Sequence, residues 1–199
     1  MRHVYPYHFV KTAGNVPYQV VVVQAPWRRL PPLLHAFREV PLDIRKAHMD
    51  RSTATIYLKP LDRLYMNDDE KEDTAQVRRI LDAGVELERP GSGASAVRLP
   101  RETEVSIFNV STVPYTILEF RCPDRVGLMH DLFELMAAMP YEIEAAYVST
   151  DLANRAAHNL LYLTRGCGRG RGHEREKLGH TDMEYVRHVF EYDAKERLP

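Results

Sequence analysis

A tandem repeat is the strongest constraint on this 199-residue chain. YQVVVVQAP at residues 18–26 and YTILEFRCP at residues 115–123 share a tyrosine, a strand-like apolar run and a proline at one offset of 97 residues. The echo continues downstream. Pro41, Ile44 and Ala47 return with the spacing of Pro140, Ile143 and Ala146, and Tyr57-Leu58 returns as Tyr162-Leu163. A repeat of that length is the size of a small domain, so two similar units in tandem are expected.

Hydrophobic period assigns the same element order to each unit. An apolar strand (19–24 and 116–121) leads through a proline turn into an amphipathic helix. In the first unit Leu30, Leu33, Leu34 and Phe37 recur at helical spacing behind Pro31, a residue tolerated early in a helix because its missing N–H would be unbonded there in any case. Leu128, Leu132, Leu135, Met136 and Met139 form the equivalent stripe in the second. A second strand (43–49 and 142–149), a turn and a third strand (53–58 and 158–163) follow, the turn of the second unit running over 150–157. A further helix closes each unit: Val77, Ile80 and Leu81 between a Thr74 cap and Gly84, then Met183, Val186, Val189 and Phe190 after an Asp182 cap. Two helices on one face of a sheet bury both stripes together, which is the ferredoxin-like solution. The fourth strand cannot follow the last helix, where only a few charged residues remain, so the repeat offset places it ahead of each unit, at HFVKT (8–12) and VSIFN (105–109).

The expected fold is therefore α+β: two tandem ferredoxin-like sandwiches, each an antiparallel sheet with two helices on one face. The units are expected at 4–87 and 103–196, joined by a linker at 88–102 where Pro, Gly and Ser accumulate in ERPGSGASA (88–96). NDDEKED (67–73) reads as an acidic loop before a helix N-terminus, and RGCGRGRGHEREK (165–177) as a basic Gly-rich insertion in the second unit. The four valines at 20–23 are apolar on both faces of their strand. Something should cover the second face of that sheet, either the second unit or another copy of the chain.

Charge and composition narrow the function classes. Lys plus Arg number 27 and Asp plus Glu 28, a net charge of −1 that leaves no global field for a polyanion or an anionic membrane. A hydrophobic fraction of 44% with 28% charged residues suits a folded core. No apolar run approaches the roughly 20 residues of a membrane helix. Cys122 and Cys167 are too few for a disulfide framework and neither sits in a CxxC pair, so a reducing, cytoplasmic setting is expected. The plastid is the alternative, because residues 1–38 lack Asp and Glu, although they also lack the Ser of a transit peptide. The nine histidines form no HExxH, no phosphate-binding loop or dinucleotide fingerprint is present, and Cys167, His173 and His180 follow no recognised zinc spacing. No catalytic residue, metal or cofactor is expected.

Chemical content concentrates between the first strand and first helix of the second unit, which reads Cys122-Pro-Asp124-Arg125-Val126-Gly127-Leu128. A glycine at a helix start lets a ligand or another backbone approach closely, and the unpaired N–H groups there favour an anion. An α-carboxylate on the amides of 126–128, with its α-ammonium paired to Asp124, would capture a free amino acid.

A strand, DRxGL, an amphipathic helix, Ile143 and a strand ending in Ser149-Thr150 together resemble the ACT domain, the small-molecule-sensing module of amino-acid metabolism. The tandem arrangement resembles the paired C-terminal ACT domains of bacterial nitrogen-sensing uridylyltransferases and the plant ACT-repeat proteins. The resemblance covers most of the chain, the second unit clearly and the first only in outline. It implies a ligand site at a domain or subunit interface, lined by the acidic residue of this loop, the residue two before it and a polar residue opening the second strand. Those positions match Asp124, Cys122 and Glu142, so the candidate ligand-binding set is Cys122, Asp124, Arg125, Val126, Gly127, Leu128 and Glu142. The first unit has Trp27, Arg28 and Leu30 where the second has Asp124, Arg125 and Gly127. It reads as a scaffold; its tryptophan could roof a ligand, but an indole buried in an interdomain contact is the favoured role. Plain structural roles compete at each position: Asp124 as a helix cap worth about 1 kcal/mol, Gly127 for tight packing, Glu142 as an exposed strand residue, Cys122 as an inert buried thiol.

These readings combine into a non-catalytic regulatory protein. It would bind an amino acid or similar small metabolite at an interface and modulate its own oligomer, expected to be a homodimer, or a partner enzyme of amino-acid or nitrogen metabolism. A ligand-free dimerisation or scaffold module is one alternative. Another is an RNA-binding accessory protein acting through Arg165, Arg169, Arg171, Arg175 and Lys177. Glu174 and Glu176 dilute that segment and no aromatic residue is interleaved for base stacking, so nucleic acid is not expected as a partner, nor is a membrane.

Overall fold

Strands with apolar residues at every second position can bury one face and leave the other to solvent. The computed structural model describes residues 2–10, 19–38, 42–60, 70–86, 99–151, 154–165 and 176–193. Its elements are β1 (Arg2–His3), β2 (Tyr7–Val10), β3 (Gln19–Gln24), α1 (Pro31–Arg38), β4 (Leu42–Met49), β5 (Thr53–Pro60), α2 (Glu70–Ala83) and β6 (Val85–Glu86), followed by β7 (Glu104–Asn109), β8 (Thr116–Pro123), α3 (Leu128–Ala137), β9 (Tyr141–Asp151), β10 (Ala156–Arg165) and α4 (His180–His188). A short 3-10 turn, Trp27–Arg29, precedes α1, and a π turn, Val189–Asp193, extends α4. No helix among the described residues is long and apolar enough to cross a membrane.

The α+β class and antiparallel pairing follow the sequence reading, but the repeats do not form two separate sheets. They contribute four strands each to one eight-stranded sheet of order β2-β3-β5-β4-β9-β10-β8-β7, antiparallel throughout. Read outward from the middle, each half shows its second, third, first and leading strand in turn. The join is β4 against β9, from Lys46 opposite Ser149 to Met49 opposite Ala146. Both leading strands are present, at Tyr7–Val10 and Glu104–Asn109.

Each half carries a bulge at the same repeat position. Ile44 and Lys46 oppose Leu58 and Tyr57, leaving Arg45 as the extra residue, and Ile143 and Ala145 oppose Leu163 and Tyr162, leaving Glu144. A bulge kinks the strand and re-aims a side chain. Here both bulged residues stand where one half meets the other.

On β8, Thr116, Leu118, Phe120 and Cys122 are buried while Arg121 and Pro123 alternate with them into solvent. The buried side meets Leu33, Leu34 and Phe37 of α1 and Leu132, Phe133 and Met136 of α3 in one continuous core. Helices α1 and α3, one from each half, pack against each other. Beyond them α2 packs on α1 and contributes Val77 and Leu81, while α4 packs on β7 and Phe190 meets Phe120 at 5.7 Å between ring centroids.

Three boundaries differ from the sequence reading. Helix α2 begins at Glu70, so Thr74 lies inside it and the acidic run 70–73 is helix rather than loop; carboxylates are favourable in a first turn. The N-cap of α4 is Gly179 rather than Asp182, whose carboxylate instead reaches back three residues to accept the Gly179 N–H at 3.2 Å. Strand β9 runs on to Asp151 and β10 starts at Ala156, which shortens the turn expected at 150–157. Residue 87 at the end of the first expected unit, residues 88–98 of the expected linker and residues 166–175 of the Gly/Arg-rich insertion, including Cys167 and His173, lie outside the described residues.

Phe133 is fully buried on α3 and packs against Trp27 from the other half, at 6.5 Å between ring centroids. Phe133→Ala is expected to cost about 3–5 kcal/mol in urea unfolding; a loss under 1 kcal/mol would mean that the α3 packing contributes little to cohesion.

Candidate functional site

The join between the halves has two corners, each where the loop before a helix of one half faces a strand of the other. The first is built on the loop between β8 and α3. Gly127 adopts φ +83°, a left-handed conformation that a glycine takes without Cβ strain, and so turns the chain into α3. Five of the seven sequence-predicted residues, Asp124, Arg125, Val126, Gly127 and Leu128, line one crevice here together with Leu34, Phe37, Arg38 and Ile44 of the other half.

That crevice is small and already occupied by the chain's own charges. Its free volume is about 30 Å³, room for one or two waters. Asp124 accepts a hydrogen bond from Arg45 at 3.2 Å, so the bulged arginine of β4 takes the carboxylate assigned by sequence to a ligand ammonium group. Nor does Asp124 cap α3, whose N-terminus has no side-chain cap. Arg38, at the end of α1, stands over Gly127: a Cβ there would lie 2.9 Å from Arg38 Nε. The anion that the helix start favours is supplied within the chain by Asp131 in the first turn, paired with Arg125 and with Arg38 at 3.6 Å. His130 Nδ1 lies 3.0 Å from the same carboxylate, and the His130 ring lies 5.1 Å from that of His35 on α1.

The electrostatics of the two carboxylates diverge. Burial pushes the Asp124 carboxyl up, and Arg45 and the Thr150 hydroxyl only partly oppose it. Burial would raise Asp131 as well, but hydrogen bonds from His130 and Arg125 outweigh it and hold that carboxyl below the usual carboxylate range.

The second corner is built on the 3-10 turn before α1. Trp27 is buried as the sequence reading expects, and its Nε1 donates across the join to Glu142 at 3.0 Å. Arg28 donates to Glu142 at 3.1 Å and to the carbonyls of Ala137 at 3.2 Å, Met139 at 3.5 Å and Tyr141 at 2.8 Å. It thereby caps the C-terminal end of α3, where a cation is favourable. Arg51 donates to Glu144, the second bulge residue, at 2.6 Å, and the Thr164 hydroxyl donates to the same carboxylate at 2.9 Å. A cavity of about 250 Å³ opens here, lined by Pro26, Trp27, Arg28, Arg51, Glu142, Ile143 and Glu144.

Glu142 therefore belongs to a different corner from the DRxGL loop. Cys122 lies at neither: it sits on the buried side of β8, and burial, with the nearby Asp124 charge, pushes its thiol up to about 11, which keeps it protonated and unreactive near neutral pH. The sequence reading missed Arg38, Arg45, Arg51, Asp131 and Glu144. A signal for two of them was present in the repeat, since Arg45 and Glu144 occupy equivalent positions with opposite charge one residue after Ile44 and Ile143. Among the described residues, no group of three His, Cys, Asp or Glu side chains is placed to hold a metal ion.

The site thus defines an α+β protein whose two repeats are clamped across a shared sheet by arginine–carboxylate pairs. No family model and no curated protein sequence matches the chain. Two solved structures resemble it weakly. An aspartate kinase from Synechocystis shares 9% identity at a TM-score of 0.41, over 74% of this chain and 24% of the kinase, so the chain spans about a quarter of that protein. A DUF4931 family protein from Bacillus cereus shares 9% identity at a TM-score of 0.32, over 100% of this chain and 91% of the other.

Two substitutions test this geometry. Gly127→Ala is expected to cost about 1–3 kcal/mol in chemical unfolding, because alanine resists the left-handed conformation and its Cβ displaces Arg38; an unchanged midpoint would contradict the close approach of Arg38. Asp131→Asn is expected to cost about 1–3 kcal/mol at pH 7. A carboxyl held low in the native state stabilises above its ordinary value of 3.8 and loses that contribution as pH falls through the lower native value. The deficit of the variant should therefore narrow below pH 3.8, and a deficit equal at pH 7 and pH 2.5 would rule out the charged pairing.

Proposed function

We propose that the chain is a non-catalytic regulatory module made of two ferredoxin-like, ACT-like units joined edge to edge, and that it holds a small free amino acid in the cavity beside Trp27. The observation that carries this reading is the combination of room and charge at that corner. About 250 Å³ is space for roughly eight waters, enough for a small amino acid. The lining offers carboxylates for an ammonium group, guanidinium groups for a carboxylate and an indole beside them. Glu142 accepts one bond on each oxygen from Trp27 and Arg28, and a carboxylate has about four acceptor sites in all. Arg51 uses Nε on Glu144, and a guanidinium has about five donors.

Because the cavity is lined from both repeats, a ligand there favours whichever arrangement keeps the join closed, by no more than its differential affinity for the two states. That bias would pass to a partner enzyme or to a second copy of the chain. The crevice at Gly127 serves in this reading as the fixed hinge side, locked by Arg45–Asp124 and Arg38–Asp131.

A thermal-shift screen of the twenty amino acids tests the proposal. At about 100 times its dissociation constant a ligand adds about 2.7 kcal/mol, or about 5–10 °C for a chain of this size. Glu142→Gln should abolish the shift, and Asp124→Ala, at the other corner, should retain it. No shift with any compound, or one indifferent to Glu142→Gln, would overturn it. A ligand-free scaffold is the second reading, favoured by the chain's own partners on Glu142 and Glu144, and a flat screen would select it.

A further inference from the structure

The side of the sheet away from the core carries a row of aromatic rings. Tyr147 alternates with the buried Ala146 and Val148 and is 46% exposed. It lies 5.1 Å from His48 on β4 and 6.1 Å from Tyr162 on β10. His48 continues to Tyr57 on β5 at 5.9 Å, and Tyr162 to Tyr115 at 6.1 Å. Five rings therefore cross the middle of the sheet in unbroken contact, and exposed Phe108 on β7 and Val10 on β2 extend the apolar surface toward both edges. Among the described residues the second repeat extends the sheet sideways rather than lying over this face.

We propose that this face packs against the same face of a second copy of the chain, making a two-fold dimer with the aromatic row at its centre. Three observations point to that occupant. The first is area: eight strands about 4.8 Å apart and about 20 Å long present about 700 Å². Two copies bury about 1,400 Å², within the range of specific interfaces. The second is position. His48 and Tyr147 oppose each other on the two central strands, so a two-fold axis lying between two such sheets brings row against row whether it runs along the strands or across them. Packed aromatic centres are where binding energy concentrates. The third is charge. The row itself carries no carboxylate, the charges around it have both signs, with Lys46 and Arg121 against Glu104 and Glu119, and a net charge of −1 leaves little repulsion between copies.

Sedimentation velocity of the whole chain over about 1–100 μM tests this. The wild type should approach twice its 23.0 kDa mass. Tyr147→Glu and Phe108→Glu, both at exposed positions, should each weaken dimerisation at least about tenfold, with circular dichroism unchanged. Tyr192→Glu, exposed on the turn after α4, should leave it intact. A wild type that stays monomeric at 100 μM overturns the proposal, as does a dimer insensitive to both face variants. A monomer that instead binds a 20-nucleotide oligouridine through Tyr147 would assign the face to base stacking and overturn it too.

Discussion

The join of β4 to β9 is the interaction on which the rest of this structure depends. Four arginines of the first repeat, Arg28, Arg38, Arg45 and Arg51, reach four carboxylates of the second, Glu142, Asp131, Asp124 and Glu144. Among the described residues these four pairs run in that one direction. Pairs as exposed as Arg28–Glu142 contribute at most about 1 kcal/mol each, so cohesion comes mainly from the strand pairing and from α1 against α3, with Phe133 on Trp27. The charges have another consequence. A strand slip of one residue exchanges the faces of every side chain, and it would also carry Arg45 and Glu144 away from Asp124 and Arg51. The matched bulges and their partners therefore fix the register of the join.

The polarity of the two corners is inverted. At one, the acid sits on the loop and the base on the strand, as Asp124 meets Arg45; at the other, the loop brings Trp27 and Arg28 and the strand brings Glu142. That inversion changes the shape of the space. Arg45 and Arg38 are long enough to fill the corner at Gly127, whereas the shorter glutamates opposite Trp27 and Arg28 leave a cavity. The repeat less like the ACT pattern in its loop thus supplies the loop of the roomier corner, and the motif that resembles the pattern most is the one that closes on itself.

Much of this was legible in the sequence. Strong periodic segments such as 19–24, 30–37 and 116–121 fell where expected because the apolar stripe that marks them is the stripe that is buried. The leading strands were recoverable from the repeat offset alone. The start of α2 was not, because acidic residues suit both a solvated loop and a helical first turn. The placement of Glu142 was not legible either. A motif read within one repeat contains no information about which arginine of the other repeat will face it, and here that pairing decides which corner is open. Reading the repeat as aligned charges, Arg45 beside Glu144 and Asp43 beside Glu142, would have come closer than reading it as aligned apolar residues.

Joining two sheets edge to edge also determines where further association can occur. Separate four-stranded units would expose four edges, each a template for unwanted pairing. The β4–β9 join removes two of them. Of those left, β2 has only four residues, and β7 opens with Glu104 and carries exposed Ser106, both poor templates for another strand. With its edges short or charged and its other side covered by helices, the described sheet offers for association the face crossed by the aromatic row, with Lys46, Arg121, Glu104 and Glu119 around it. Tyrosine at 57, 115, 147 and 162 has no packing role in the helix-side core, and these rings lie on the face where the proposed contact would form.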